Sequence, residues 1–518
     1  MTLFRNPIRT SRLVAMLLIP VGLTVGCTDL KENPTSLITK DTFYKNSDEV
    51  IAGLASVYAN LRANLDAYYS LNQVSSDETV VPTRGGDWFD NGAWIELHKQ
   101  GWAPNSVVGL REVSQIWNAM YAGVARANIV LEALNNVTIP NQAAIKAELR
   151  ALRALYYMQL NDSYGGVPIA TDTKVEARAA KTRAEVFAFI ETELKAARAD
   201  LPKTWPDQQG RVTQGAADAM LASLYLNAQV YSGIPTATGL TPGAAKWTEA
   251  IAAADAVINS GTYTLAPDFA AWKQNFNFNN QNSTENIFVV RGKAVDGIGF
   301  NRQFQSLHYN SFEGGGGWNG WSVVEQTYNK FDPADLRRSV VLAGPQVDLF
   351  TGAPVNNRQG ARLVFTPVIA DITAANEGEG VRIYKFPLDP GRAGNASGND
   401  FTLFRLGEMF LIKAEALNEL GRTAEAIVEA NKVRARAFSP AKLIPAGQTQ
   451  AQLRVILQDE RLFELLGEGK RRQDQIRYGT YTTGVWFGKT ATPGYKAVLP
   501  IPQAQLSTNP LLKQNPGY

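Results

Sequence analysis

The 518-residue chain holds two histidines and one cysteine, so the usual material for metal binding and nucleophilic catalysis is scarce. It has no HExxH, no GxSxG and no paired CxxC, which removes the common zinc and serine-hydrolase signatures. Gly488-Lys489-Thr490 looks like the end of a phosphate loop. Its first glycine would have to stand at position 483, which is Thr483, so the spacing fails. No cofactor motif is present and none is expected. Carboxylates are plentiful enough for a glycosidase pair, but nothing in their order singles out two. Glu460, Glu464, Glu468 and Asp474 cluster together with Arg461, Arg471, Arg472 and Arg477. Acids and arginines at helical spacing predict a buried or half-buried ion-pair network rather than an acid/base couple.

The informative chemistry is aromatic. A sugar ring has one face of C–H groups and a rim of hydroxyls. An indole or phenol stacks on the face, and amides, carboxylates and guanidiniums bond the rim. Trp88, Trp94, Tyr309, Trp318 and Trp321 stand among Gly, Asp and Asn, beside Asp87, Asn91, Asn310 and Asn319. Each ring has two roles open to it, packing loops onto a scaffold or contacting a ligand. Across the group, at least one ligand contact is expected. The candidate binding residues are therefore Trp88, Asn91, Trp94, Tyr309, Trp318, Asn319 and Trp321. Trp117 and Tyr121 sit on a helical face and are expected in the core.

Helices must position these loops. Phe401–Phe438 reads as two amphipathic helices, with Leu403, Leu406, Phe410, Leu417 and Leu420 on one stripe and Ile427, Ala430, Val433 and Ala437 on the next. Gly421 ends the first, and Thr423 is the expected cap of the second. The hairpin is similar to a tetratricopeptide unit, although its first helix is about two turns too long. A solenoid unit cannot bury its stripe alone, so sister units are required. Thr42–Leu65 with Val113–Leu134, Gln142–Tyr164 with Thr182–Leu201, and Thr213–Tyr231 with Lys246–Ser260 supply them. Gln450–Tyr478 reads as one further helix. The fold class expected is mainly α: a tetratricopeptide-like scaffold of about four helical pairs carrying a large irregular insert over 262–400. Within that insert, Ile287–Arg291 reads as a short strand. Long loops on a rigid scaffold are where function concentrates.

The N-terminus reads as an export signal. Arg5, Arg9 and Arg12 precede the apolar run Leu13–Val25, which is too short to span a membrane as a helix. Leu23-Thr24-Val25-Gly26-Cys27 resembles a bacterial lipobox. The expected organisation is a signal peptide over 1–26, a lipidated tether over 27–40 starting at Cys27, and one domain over 41–518. Removing the three arginines of 1–26 leaves 48 basic against 48 acidic residues. A net-neutral chain gives no electrostatic case for nucleic acid.

At these residues the chain resembles the SusD/RagB family of bacterial outer-membrane nutrient-binding lipoproteins. The closing LPIPQAQLSTNPLLKQNPGY looks like that family's C-terminal motif. Glu460, Arg461, Glu464, Leu465, Glu468, Gly469, Arg471, Asp474 and Arg477 match its ER-x-x-EL-x-x-EG-x-R-x-x-D-x-x-R segment, with Gly467 and Arg472 as departures. Trp117-x-x-x-Tyr121 with Ala127-Asn128, and Arg150–Ala154 through Gly165-Gly166-Val167-Pro168, also match. The resemblance implies a ligand-capturing protein on the outer membrane, lipid-anchored and facing the exterior. It would cap a SusC-like TonB-dependent transporter and pass it an oligosaccharide or other nutrient, with no catalysis. A surface glycoside hydrolase and a solenoid adaptor that binds only protein are the alternatives. The shared motifs do not carry ligand residues over, so the site rests on the loop aromatics.

Overall fold

The computed structural model describes residues 43–518 apart from Asp207 and Asp296. The signal peptide, Cys27 and the tether lie outside the described residues. Eight helices form the scaffold: α1 (Ser47–Asn60), α2 (Ser114–Ala133), α3 (Gln142–Tyr164), α4 (Arg183–Asp200), α5 (Gln214–Leu226), α6 (Trp247–Ile258), α7 (Leu406–Glu419) and α8 (Thr423–Arg434). Each packs on the next in chain order, giving four consecutive hairpins. α3 is the central helix, and from Ala147 to Tyr164 it is buried on nearly every side. Its Tyr156 ring lies on Gly123 of α2, where an added Cβ would meet the ring at 2.4 Å. Local chemistry sets the helix ends. Thr182 and Glu185 make a full capping box on α4. α7 stops at Gly421 (φ +76°), with Arg422 N–H donating to Leu417 C=O in the Schellman pattern.

Several sequence expectations are corrected. Phe401–Arg405 is not the start of α7 but a strand, paired antiparallel with Asn286–Val290. The strand lies within one residue of the Ile287–Arg291 expected in the insert. This explains the over-long first helix: FTLFR suits a strand, and its partner is more than a hundred residues away. Thr423 does not cap α8; its hydroxyl donates to Asn418 Oδ1 at 3.1 Å. Gln450–Tyr478 is two helices, α9 (Gln450–Leu465) and α10 (Arg471–Tyr478), broken at Gly467 and Gly469, both with positive φ. The 213–231 helix breaks at Asn227, whose side chain bonds Ser223 C=O at 2.9 Å and accepts from Arg477 at 2.8 Å. The opening helix becomes a 3-10 turn at Leu61–Leu65 and then a helix over Ala67–Val74.

The 262–400 region is mostly loop, clipped to the scaffold by short two-stranded pairings and by charge. Arg405 spends all five N–H donors, on Glu285 (2.9 Å), on the Glu464 side chain (2.6 Å) and C=O (2.8 Å), and on both Glu468 oxygens (2.8 Å each). Arg436 joins Glu285 to Glu464, Arg337 joins Asp335 to Glu460 and Glu464, and Lys385 reaches Glu468 at 2.5 Å. The second half of the motif is also internal. Arg461 and Arg477 share Asp474, Arg471 forks onto Asp77, and Arg472 holds Asp162 at 2.8 Å. The network expected from α9 and α10 is present. Its partners Glu285, Asp335, Arg337, Lys385, Arg405 and Arg436 come from elsewhere in the chain. The terminal Tyr518 accepts from Trp102 Nε1 (2.8 Å) and donates to Val498 C=O (2.7 Å), and Asn515 donates to Tyr164 C=O (2.9 Å), which pins the closing motif beside α3.

Candidate ligand-binding site

Two loop stretches far apart in sequence meet through one small pairing. Thr79–Val80 pairs antiparallel with Ser322–Val323, which brings the 84–102 loop alongside the 308–321 loop. Two buried guanidiniums fix the second loop. Arg84 donates to the carbonyls of Asn319 (2.9 Å), Gly320 (2.9 Å), Asn376 (3.2 Å) and Glu379 (2.6 Å), and to Ser322 Oγ (3.1 Å). Arg382 donates to Asn319 Oδ1 (2.9 Å), Ser322 Oγ (2.8 Å) and the carbonyls of Glu377 (3.0 Å), Glu379 (2.9 Å) and Gly380. Burial lowers both arginines, Arg84 to about 10.

Backbone strain concentrates at the same place. Trp88 (φ +62°), Asp90 (φ +38°), Asn91 (φ +53°) and Asn319 (φ +50°) all hold left-handed conformations, followed by Gly92 at +81°. A bulky residue in that region persists only where its surroundings hold it, and such strain collects at ligand clamps. The hold on Trp88 is visible. Its Nε1 donates to Trp318 C=O at 2.6 Å, and its ring lies on Gly320, where a Cβ would sit 2.1 Å from the indole. Any side chain at 320 would displace the ring.

The candidate residues divide into two layers. In the outer layer Trp88, Tyr309 and Trp318 are half-buried, and Asn91 is exposed. In the inner layer Trp94 (8% exposed), Trp321 (3%) and Asn319 (0%) are framework. Trp94 packs edge-on to Trp88 at 5.4 Å and to Trp321 at 5.8 Å, and Trp321 stacks on Tyr69 at 5.7 Å. Asn319, expected at a ligand rim, instead uses its side chain on Arg382 and on Glu377 C=O (3.2 Å). Trp117, as expected, is core, and Tyr121 donates to Pro168 C=O at 2.7 Å.

Sequence reading missed Arg358 and Glu377, and no local pattern marks them. The Arg358 guanidinium lies 4.0 Å over the Tyr309 ring and pairs with Asp87 (3.3 Å) and Glu377. Tyr309 OH donates to Asp87, and burial followed by that carboxylate raises the phenol to about 12. Burial alone would raise Glu377, but the Arg358 N–H (3.0 Å), its guanidinium and His308 hold it down at about 2. His308 Nδ1 accepts from Asn310 N–H at 3.1 Å, so Nε2 carries the proton toward Glu377 at 3.0 Å. Burial lowers this imidazole, against the opposing pull of Glu377. Among the described residues no group of three or more His, Cys, Asp or Glu is placed to hold a metal ion. Lys489 of the phosphate-loop look-alike is turned inward onto the carbonyls of Gly484 (2.8 Å) and Thr490 (3.1 Å).

Two family models match the chain, one described as SusD family over residues 275–518 and one as starch-binding associating with outer membrane over residues 36–226. The chain belongs to the SusD family. A SusD-like protein of Formosa agariphila is 26% identical over 538 residues, covering 94% of this chain and 96% of the relative. The starch-binding protein SusD of Bacteroides thetaiotaomicron is 24% identical, covering 87% of this chain and 85% of its own. Among solved structures, a laminarin-binding SusD-like protein shares the fold at TM-score 0.72 and 23% identity, over 92% of this chain and 100% of its own. The surface glycan-binding protein A of Bacteroides thetaiotaomicron, in complex with laminarihexaose, does so at 0.70 and 21%, over the same shares. The last three of these are named for binding starch, laminarin or surface glycan. Among the described residues no helix is long and apolar enough to cross a membrane.

Proposed function

We propose that this SusD-family protein captures an oligosaccharide on the outer layer of the loop site and delivers it to a SusC-like TonB-dependent transporter. It would be held at the outer membrane by a lipid on Cys27, facing the exterior. Trp88 carries the reading. Its indole lies on Gly320, its backbone is strained at φ +62°, and Asp87, Asp90 and Asn91 are its neighbours in the chain. Trp318 and Tyr309 extend the stacking surface, while Trp94, Trp321 and Asn319 support it from beneath. The named binding activities of the starch- and laminarin-binding relatives favour a glycan over other nutrients.

The test uses residues 28–518 expressed without the lipid site and run through native gels containing single polysaccharides. Retardation by one polymer, reduced in Trp88→Ala and Trp318→Ala and with no sugar released, is the expected result. Released sugar would put a glycoside hydrolase in its place. Retardation indifferent to both substitutions would move the site away from these loops. Co-purification of a TonB-dependent barrel with the tagged, lipidated chain tests the delivery step.

A further inference from the structure

We propose that a small cavity behind Trp321 binds one halide-sized anion, chloride in ordinary buffers. The cavity has a volume of about 20 Å³, and Tyr69, Arg302, Gln303, Trp321, Lys385 and Gly467 are on its wall. A water-sized guest needs about 10–15 Å³ of such space, so there is room for a single small particle. Trp321 and Gln303 are only 3% and 4% exposed. Yet Trp321 Nε1, both polar atoms of the Gln303 amide and Arg302 Nη1 have no hydrogen-bond partner among the described residues. Native interiors leave few polar atoms unpaired. Four of them on residues that share one cavity point to a guest.

Charge decides which guest. Three of the four unpartnered atoms are N–H donors, and only Gln303 Oε1 is an acceptor. A water molecule would have to donate as well as accept, whereas an anion only accepts. Arg302 Nε donates to Asn301 Oδ1 at 3.0 Å, but the carboxylate paired with its Nη1, Asp66, stands 3.9 Å away and is itself exposed. A buried cation without a bonded counter-charge is costly, and burial lowers Arg302 accordingly. Among the described residues no carboxylate lines the cavity. Lys385 does line it and adds positive charge, although Glu468 (2.5 Å) and Glu464 C=O (2.8 Å) hold its ammonium. Glu78 accepts from the Gly467 N–H; burial raises it to about 8, so it is mostly protonated at neutral pH. The surroundings of the guest are therefore net positive. An anion here would fix the edge of Trp321, whose face stacks on Tyr69 and whose ring meets Trp94, from beneath the loop site.

Crystals of residues 28–518 soaked in sodium bromide test this, with the anomalous signal of bromide as the readout. The expected result is a peak within hydrogen-bond distance of Trp321 Nε1 and the Arg302 guanidinium. Density there without an anomalous signal would mean a water and would overturn the proposal. The second measurement is thermal melting in solution. The melting temperature should rise by about 1–2 °C when sodium chloride or bromide replaces sodium gluconate at equal ionic strength. A bromide peak with no such rise marks an adventitious ion only, and the proposal falls. Trp321→Phe keeps a ring and removes one donor, and Arg302→Gln removes the charge; both should shrink the rise. A rise as large in both variants as in the wild type would be general salt stabilisation and would overturn the site. Where a variant fails to fold, the peak and the rise in the wild-type chain decide.

Discussion

The α9–α10 ion network and the loop site are both dense in polar and aromatic groups, yet they use them in opposite ways. In the network every guanidinium meets carboxylates in the interior. Burial would raise Glu285, and Arg436 with Arg405 outweighs it to hold the acid at about 2. In the loop site the buried Arg84 and Arg382 instead meet backbone carbonyls, a hydroxyl and an amide oxygen. A buried charge stripped of its partner is costly, whereas a half-exposed ring on a rigid base can be cut away with little loss. Density in sequence therefore marks an interior ion network in the first region and a half-exposed aromatic surface in the second. The two are joined by a run of ring contacts. Trp88 touches Trp94, then come Trp321, Tyr69, Phe401, Phe386, Phe276 and Trp272, whose Nε1 donates to Glu464 at 2.8 Å.

The largest effect is expected from Glu464→Ala, which strips a partner from Arg337, Arg405 and Arg436 at once. It should cost about 3–5 kcal/mol in urea unfolding. A loss near zero would show that the network is not the clamp on the insert. Next comes Trp88→Ala, expected to weaken glycan binding by about 30-fold, or ~2 kcal/mol, with the melting temperature nearly unchanged. Trp94→Ala should lose binding and melting temperature together, because it sits between the layers. If Trp88→Ala melts as early as Trp94→Ala, the division into layers is wrong.

A smaller effect separates the two regions by pH. Glu78 accepts from Gly467 N–H at 2.6 Å, and burial raises it to about 8. The folded chain then binds a proton that the unfolded chain releases, so this group's contribution falls as pH rises from about 4.5 toward 8. Glu78→Gln removes that slope, and its urea midpoint should gain on wild type between about pH 5 and about pH 8. A constant difference would refute the raised proton affinity. Smallest is Arg358→Gln, which removes the guanidinium that holds the Tyr309 ring in place and should weaken glycan binding by about threefold. No change would confine the site to the tryptophans.

Helical pairs, loop aromatics and the ion network were legible because each depends on spacing along one segment. Gln142–Tyr164 is α3 to the residue, since an amphipathic run and a Gly-Gly stop are local facts. Phe401–Arg405 was misread because a five-residue strand is decided by its partner at 286–290. Within the site, Trp88 and Trp94 look alike in sequence, and only burial tells ligand surface from support.

Composition and order by themselves determined that this is a helical chain with two histidines, one cysteine and aromatic loops. They carried the SusD-family motifs that the family models also match. Tertiary structure alone decided which rings are half-exposed, and that Arg84, Arg358, Arg382 and Glu377 gather at the loops that carry them. The reason is physical. Periodicity and capping act over a few residues, whereas a guanidinium's acceptors and an indole's floor come from segments up to 295 positions apart.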